Sequence, residues 1–242
     1  LEPGSHEHPE SGYRSRYSHE REWATPNYYA VELTDYGVKA EMTSGKRSGM
    51  FRFTYPQSDS AFILIDMNHT LWQTCEWANL RMENDSTLSG YKLVKGWGPE
   101  RHVYFKAVFS KKLSDLLFMQ AGKPVIYDTS RFRSRREAWG KGLMACIRFA
   151  TTEREEVTVK VAISSVSTDG ATGNLEELRG MDFDGLKAAG EQLWEEELSR
   201  STLTAGSSTK QTFYTSAYHA ALRPFLFPDA YRHCRGLDKN VE

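Results

Sequence analysis

Two adjacent stretches, Gly49-Met50-Phe51-Arg52-Phe53-Thr54-Tyr55-Pro56 and Ala61-Phe62-Ile63-Leu64-Ile65-Asp66, constrain this chain more than any other part of it. In the first, Phe51, Phe53 and Tyr55 alternate with Met50, Arg52 and Thr54, the two-residue period of a strand with one apolar and one wetter face. Pro56 has no amide to donate and stops it, and Gln57-Ser58-Asp59-Ser60 are turn formers. The second stretch is apolar without interruption, the pattern of a strand covered on both faces. The spacing predicts that it returns beside the first, as a pair that seeds a sheet.

More strands surround that pair. Tyr28-Tyr29-Ala30-Val31-Glu32-Leu33 and Val38-Lys39-Ala40-Glu41-Met42-Thr43 flank the turn Asp35-Tyr36-Gly37, predicting a hairpin. Further strands are predicted over 77–83, 88–95, 102–109, 114–119, 125–128 and 143–150, and Val157, Val159, Val161 and Ile163 share one face of a last one. Roughly ten short strands without interleaved helices predict a mainly β fold, an antiparallel β-sandwich rather than a parallel sheet. The period then switches. Asp182 can cap a helix whose apolar stripe is Phe183, Leu186, Leu193, Trp194 and Leu198. A second helix is predicted over 209–222, with Tyr214, Tyr218 and Leu222 on one stripe and Pro224 ending it.

At 242 residues the chain can bury a full core without staples, and its net charge of -1 gives no basic surface for nucleic acid or an anionic membrane. No run reaches the roughly 20 apolar residues of a membrane helix. The opening Leu1-Glu2-Pro3-Gly4-Ser5 has neither an initiator Met nor an apolar signal core, and reads as a cut end. Cys75, Cys146 and Cys234 are scattered and odd in number, which excludes a disulfide framework. The chain carries no phosphate-cradling glycine loop, zinc spacing, helix-loop-helix calcium loop or nucleophile elbow. His6-Glu7-His8 on a polar end lacks a scaffold to fix metal geometry and reads as a solvated terminus.

Longer motifs carry a resemblance. Ser18-His19-Glu20-Arg21-Glu22, Pro26-Asn27-Tyr28-Tyr29-Ala30-Val31, Glu41-Met42-Thr43, Arg47-Ser48-Gly49 and Phe53-Thr54-Tyr55-Pro56 resemble, in order and spacing, the N-terminal sandwich of glycoside hydrolase family 92, the calcium-dependent exo-α-mannosidases. Ser89-Gly90-Tyr91, Gly96-Trp97, His102-Val103-Tyr104-Phe105, the run from Val159 to Ser167 leading to Ala171 and Asn174-Leu175, and Phe213-Tyr214-Thr215-Ser216-Ala217-Tyr218-His219 are similar to the same family. Two places depart from it: Asn27 stands where the family usually has Gly, and the segment from Asp229 to Asp238 is a disturbed version of the lead into the catalytic domain. The resemblance divides the chain into a polar arm (1–17), a sandwich (18–180), a helical linker (181–208) and the start of an α/α-barrel (209–242). It implies a fragment of an inverting mannosidase whose acid, base and calcium ligands lie outside this chain. On that reading the chain binds no calcium itself and is inactive alone. Its partners would be mannose-containing glycans and the missing barrel, and its compartment secreted or periplasmic. The alternative is a free-standing, non-catalytic carbohydrate-binding module, marked by exposed coplanar aromatics at Trp72, Trp77 or Trp97.

An inverting glycosidase needs two carboxylates about 6.5–9.5 Å apart, one protonated and one ionised. Glu20, Glu22, Glu41 and Asp66 are the carboxylates here that invite the question, and as single groups on strands and loops they read as solvated or paired with Arg. For sugar contact two residues stand out. Trp97, on the tight loop Gly96-Trp97-Gly98-Pro99, can offer a flat face to a pyranose or cap the core, and His19 can hydrogen-bond a ligand or tie its own loop to a carbonyl. Arg131, Arg133, Arg135 and Arg136 lie near Asp128 and Glu137 and read as a solvated loop.

Overall fold

The computed structural model describes residues 12–96, 100–127, 136–222, 226, 228–236, 240 and 241. The expectations placed on His6-Glu7-His8, Trp97, Asp128, Arg131, Arg133, Arg135 and Pro224 fall outside the described residues. In chain order the strands are β1 (Glu22–Thr25), β2 (Tyr28–Leu33), β3 (Val38–Ser44), β4 (Ser48–Tyr55), β5 (Ser58–Asp66), β6 (Gln73–Asn84), β7 (Thr87–Gly96), β8 (Arg101–Phe109), β9 (Asp115–Gln120), β10 (Lys123–Pro124), β11 (Glu137–Gly140), β12 (Leu143–Thr151) and β13 (Glu155–Ser164). Three helices follow, α1 (Thr168–Leu175), α2 (Phe183–Leu198) and α3 (Ser207–Ala221).

The strands form two antiparallel sheets. One has nine strands in the order β1-β2-β3-β4-β13-β8-β7-β6-β11, and the other has four in the order β10-β9-β12-β5. Their facing sides bury Leu80, Leu88, Ala107, Phe109, Leu143, Ala145, Ile147 and Val159 as one core. The predicted sandwich followed by helices is therefore the observed architecture.

The predicted β4–β5 pair is not. β4 has β3 on one edge and β13 on the other, so neither edge is open to β5, which pairs with β12 in the opposite sheet. The connection is a crossover between layers, held where the Thr151 hydroxyl donates to the Pro56 carbonyl at 2.7 Å. The uninterrupted apolar run of β5 still has two apolar surroundings. Ile63 and Ile65 face the core, whereas Phe62 and Leu64 join Met119, Met144 and Cys146 in a second cluster.

Five smaller differences are local. Glu22–Thr25 is an edge strand that the apolar pattern did not mark, because backbone pairing with β2 asks nothing apolar of its side chains. The short β11 escaped the pattern, and so did α1, whose cap is the Ser167 hydroxyl accepting from Gly170 N–H at 2.9 Å. In place of the strand predicted from Val125, β10 covers Lys123–Pro124 and pairs with β9, and Val125 adds one N–H to the Phe118 carbonyl at 2.9 Å. Asp182 does cap α2, accepting from Gly185 N–H at 2.8 Å, but Leu193 is 53% exposed and the buried positions are Phe183, Leu186 and Gly190.

The wetter face of β4 is covered by this helix. Met50 is 1% exposed and packs with Leu178, Phe183 and Leu186. Beside it Glu41, 3% exposed, receives Arg52 through Nε and one terminal nitrogen, each at 3.0 Å. The Tyr28 hydroxyl donates to the same carboxylate at 2.7 Å, and Lys39 lies at 3.2 Å. Arg52 extends its other arm to Asp184 of α2 at 3.0 Å, with its guanidinium 4.2 Å from the Phe183 ring. Burial works to raise the Glu41 carboxyl, but the hydrogen bonds from Arg52, Tyr28 and Lys39 outweigh it and hold the group down at about 2.

Asn27, at the position where a glycine was expected, is buried. Its amide donates to the Lys187 carbonyl of α2 at 2.9 Å and lies 3.4 Å from the Thr43 hydroxyl. The approach works because Gly190 is opposite: a Cβ there would meet the Asn27 amide nitrogen at 2.1 Å.

Gly190→Ala should therefore destabilise the chain by about 1–3 kcal/mol. Thermal denaturation should show a smaller loss for the same change in an Asn27→Ala background, because the clash is then gone. For Glu41, the folded carboxyl titrates below its ordinary 4.5, so its stabilisation is complete above that pH and is lost as pH falls toward about 2. Urea denaturation of Glu41→Gln should show a loss of roughly 2–3 kcal/mol at neutral pH and a flatter decline between about pH 5 and 2 than the parent.

Candidate functional site

The turn between β3 and β4 presents inward backbone donors, a ready nest for an anion. The anion is internal. Glu177, in the 3-10 turn after α1, accepts from Lys46 and Arg47 N–H at 3.0 Å each and from the Ser48 hydroxyl at 2.6 Å. Gly45 permits the approach, since a Cβ there would lie 3.1 Å from the carboxylate.

With its backbone so fixed, Arg47 donates through Nε to the Pro228 carbonyl at 2.8 Å. Asn174 of α1 bridges two segments, donating to the Ile163 carbonyl at 2.7 Å and accepting from Ala230 N–H at 2.6 Å. Arg235 reaches the Ser165 and Val166 carbonyls, both at 3.2 Å. Asp229, 3% exposed, accepts from Tyr231 and His233 N–H at 3.0 Å each, while its Oδ2 is buried with no hydrogen-bond partner among the described residues. The segment from Asp229, which departs from the family pattern, is thus docked on the end of β13.

An open cleft of about 430 Å³ lies between the β3–β4 turn, the ends of β8 and β13, and Leu226 and Pro228. Its lining is largely apolar, from Phe51, Val103 and Val161, with Arg47 and His102 as polar members and the buried Asn174 already bonded to Ile163 and Ala230. An apolar lining with a few hydrogen-bonding groups suits a neutral ligand rich in hydroxyls. His102 is positioned by Tyr91, whose hydroxyl is 3.0 Å from Nδ1 and whose ring is tilted 37° against Tyr104 with centroids 4.8 Å apart. Burial first, then the neighbouring Tyr104, raises the Tyr91 phenol, so it keeps its proton near neutral pH.

The structure does not bring His19 to this cleft. Glu22, next to it, is aligned through Val31 and Ala40 with Phe53, so His19 stands at the end of the sheet away from the β3–β4 turn. Its Nδ1 is 2.6 Å from Glu22 Oε2. Trp97, between β7 and β8 in sequence, lies outside the described residues.

The four carboxylates are not gathered into a pair at the cleft. Glu20 is exposed in the turn His19–Arg21. Glu22 is held below the usual carboxylate range by the Tyr29 hydroxyl and then by His19. Glu41 is enclosed under α2. Asp66 accepts from the Tyr13 hydroxyl at 2.6 Å and from Asn68 and His69 N–H at 2.7 and 3.2 Å, the pattern of a turn cap. Sequence reasoning passed over Glu177, Asn174 and Asp229 as functional groups; the capping serine and glycine ahead of Asn174 were the one local signal.

Residues 1–164 match the family model described as the glycosyl hydrolase family 92 N-terminal domain, and residues 170–242 match the glycosyl hydrolase family 92 catalytic domain. Among solved structures, the chain is similar to the family GH92 alpha-mannosidase BT3965 from Bacteroides thetaiotaomicron, at 73% identity and TM-score 0.97 over 100% of this chain and 33% of that one. The structure of the same mannosidase in complex with mannoimidazole matches with the same identity and TM-score, over 32% of its chain. The family GH92 inverting mannosidase BT2199 from Bacteroides thetaiotaomicron VPI-5482 shares the fold at 18% identity and TM-score 0.81, over 94% of this chain and 30% of that one. No curated protein matches. The chain thus spans about one third of the length of the mannosidase structures it matches. Two successive domain models of one family, together with 73% identity in a match that covers the whole chain, lead to one conclusion: it belongs to glycosyl hydrolase family 92.

Proposed function

We propose that this chain is the sandwich and leading helices of an inverting, calcium-dependent exo-α-mannosidase that removes terminal mannose from glycans. The observation that carries the reading is the 73% identity, over the whole chain, to an alpha-mannosidase whose structure is also solved with mannoimidazole. In an inverting reaction one carboxylic acid protonates the departing oxygen while a carboxylate opposite activates water. Glu20, Glu22, Glu41 and Asp66 supply no such pair, so both groups are assigned to the barrel beyond this chain. On this proposal the four regions 1–17, 18–180, 181–208 and 209–242 are arm, sandwich, linker and start of that barrel.

Calcium takes six to eight oxygen ligands. Among the described residues no three His, Cys, Asp or Glu side chains group together, and on this proposal the calcium site is assigned to the barrel. Support for a continuing helical domain comes from α3, which buries none of its residues and meets α2 through Tyr218 on Trp194, centroids 4.9 Å apart. No described helix is long and apolar enough to cross a membrane. A secreted or periplasmic enzyme is the compartment the family suggests.

The sandwich's part is to carry the barrel and shape the rim of the sugar pocket. The cleft at Arg47 and His102 is the first candidate for that rim, and Trp97 remains a sugar-contact candidate on its sequence alone. His19, held by Glu22, is the weaker of the two sugar-contact candidates read from the sequence.

The test is mannose release from an α-linked mannobiose with calcium present, by this chain and by a version extended through the downstream coding sequence. Activity in the extended form alone is the expected outcome. Turnover by the 242-residue chain would overturn the assignment of the carboxylates, and silence from both would overturn the mannosidase reading.

A further inference from the structure

The outer face of the nine-stranded sheet, at its β6–β11 edge, exposes aromatic surface. β6 and β11 pair with Trp139 opposite Asn79, and Trp77 is two residues from Asn79 on the same face. The two indoles are therefore diagonal neighbours, their backbones about 7–8 Å apart. Trp77 is 45% exposed and Trp139 49%. The next strand continues the surface, because β7 sets Leu93 opposite Trp77 and Tyr91 opposite Asn79.

A third indole stands at the start of β6. Trp72 is 94% exposed, and its φ of 58° is a left-handed conformation that bulky side chains rarely adopt. Strain of this kind, with no packing to recompense it, is found where a side chain is held out for contact. The polar groups nearby are also arranged. Asn79 donates its amide to Glu137 Oε1 at 2.9 Å, which orients its own oxygen as an acceptor, Glu137 is paired opposite Arg81, and Glu76 forms an ion pair with Lys141 at 2.8 Å.

We propose that this face binds a neutral α-mannan oligosaccharide, with Trp77 and Trp139 stacking on successive sugars and Asn79 accepting a hydroxyl between them. The choice of mannose rests on the function proposed above. The stacking itself rests on placement: two half-exposed indoles at diagonal positions of a rigid sheet, beside a hydrogen-bonding amide, suit the alternating apolar faces and hydroxyl edges of a sugar chain.

The 242-residue chain is titrated with an α-1,2/α-1,3 manno-oligosaccharide, reading the indole N–H signals of its six tryptophans by NMR, assigned through single Trp→Phe variants. The expected result is a shift confined to Trp77 and Trp139, with or without Trp72, and at least tenfold weaker binding in Trp77→Ala/Trp139→Ala. Melting curves of that double variant check its fold, and Asn79→Ala, which leaves both rings in place, should weaken binding several-fold. Unmoved Trp77 and Trp139 signals at saturating oligosaccharide would overturn the proposal. So would a preference for a β-glucan oligosaccharide of equal length, or a concentration-dependent dimer that the double variant abolishes. Binding without mannose release by the extended protein would retain this face and discard the mannosidase reading; release without binding would do the reverse.

Discussion

A carboxylate buried beneath a helix determines how the two halves of this chain meet. Glu41 lies on the outer face of the large sheet, where isolated charge is costly to bury, and is retained because Arg52, Tyr28 and Lys39 all donate to it. Arg52 has a second task, since the arm that Glu41 does not use holds Asp184 in the first turn of α2. The apolar contacts of Met50 with Phe183 and Leu186 attract the helix to the sheet, while the ion network and the Asn27–Gly190 contact fix its position along it. A glycine replaced in α2, or a proton added to Glu41, acts on the same junction by different physics.

A parallel arrangement at the other end of the sheet governs the chain's last segment. The β3–β4 turn could have offered its amides to a ligand, but Glu177 fills it, and Arg47 is thereby aimed at Pro228. Asn174 and Arg235 complete the docking. Internal polar groups thus hold both exits from the sandwich, and the cleft they frame has a largely apolar lining with a few polar members. In the function proposed, a sandwich built this way serves as a rigid support on which a larger helical domain sets its own catalytic groups.

The alternation of Phe51, Phe53 and Tyr55, the Asp35-Tyr36-Gly37 hairpin and the Asp182 cap were legible because each depends on neighbours in sequence. The partner of β5 was not. Its apolar run showed that both faces would be covered, but which strand lay beside it was decided by β13, about ninety residues on, taking the open edge of β4. The same limit hid the site. Glu41 read as one more strand-end carboxylate and Glu177 as part of a polar stretch, because their donors are supplied by residues 11 and about 130 positions away. Resemblance to a family conveyed what local pattern could not, since long motifs record tertiary constraints without displaying them. Trp77 and Trp139 became a pair only once β11, a strand too short for a pattern, was seen beside β6.

The central claim is that the Glu41–Arg52–Asp184 network, more than the apolar contact, sets α2 on the sandwich and with it the direction in which the chain leaves. Amide hydrogen exchange followed helix by helix, in the parent and in Arg52→Met, tests it most directly, because the substitution keeps apolar contact with Phe183 while removing the charge. The account predicts that α2 and α3 lose protection together by at least tenfold while β8 and β13 exchange as before. Unchanged protection in α2 would contradict it, and would assign the junction to Met50, Phe183 and Leu186 alone.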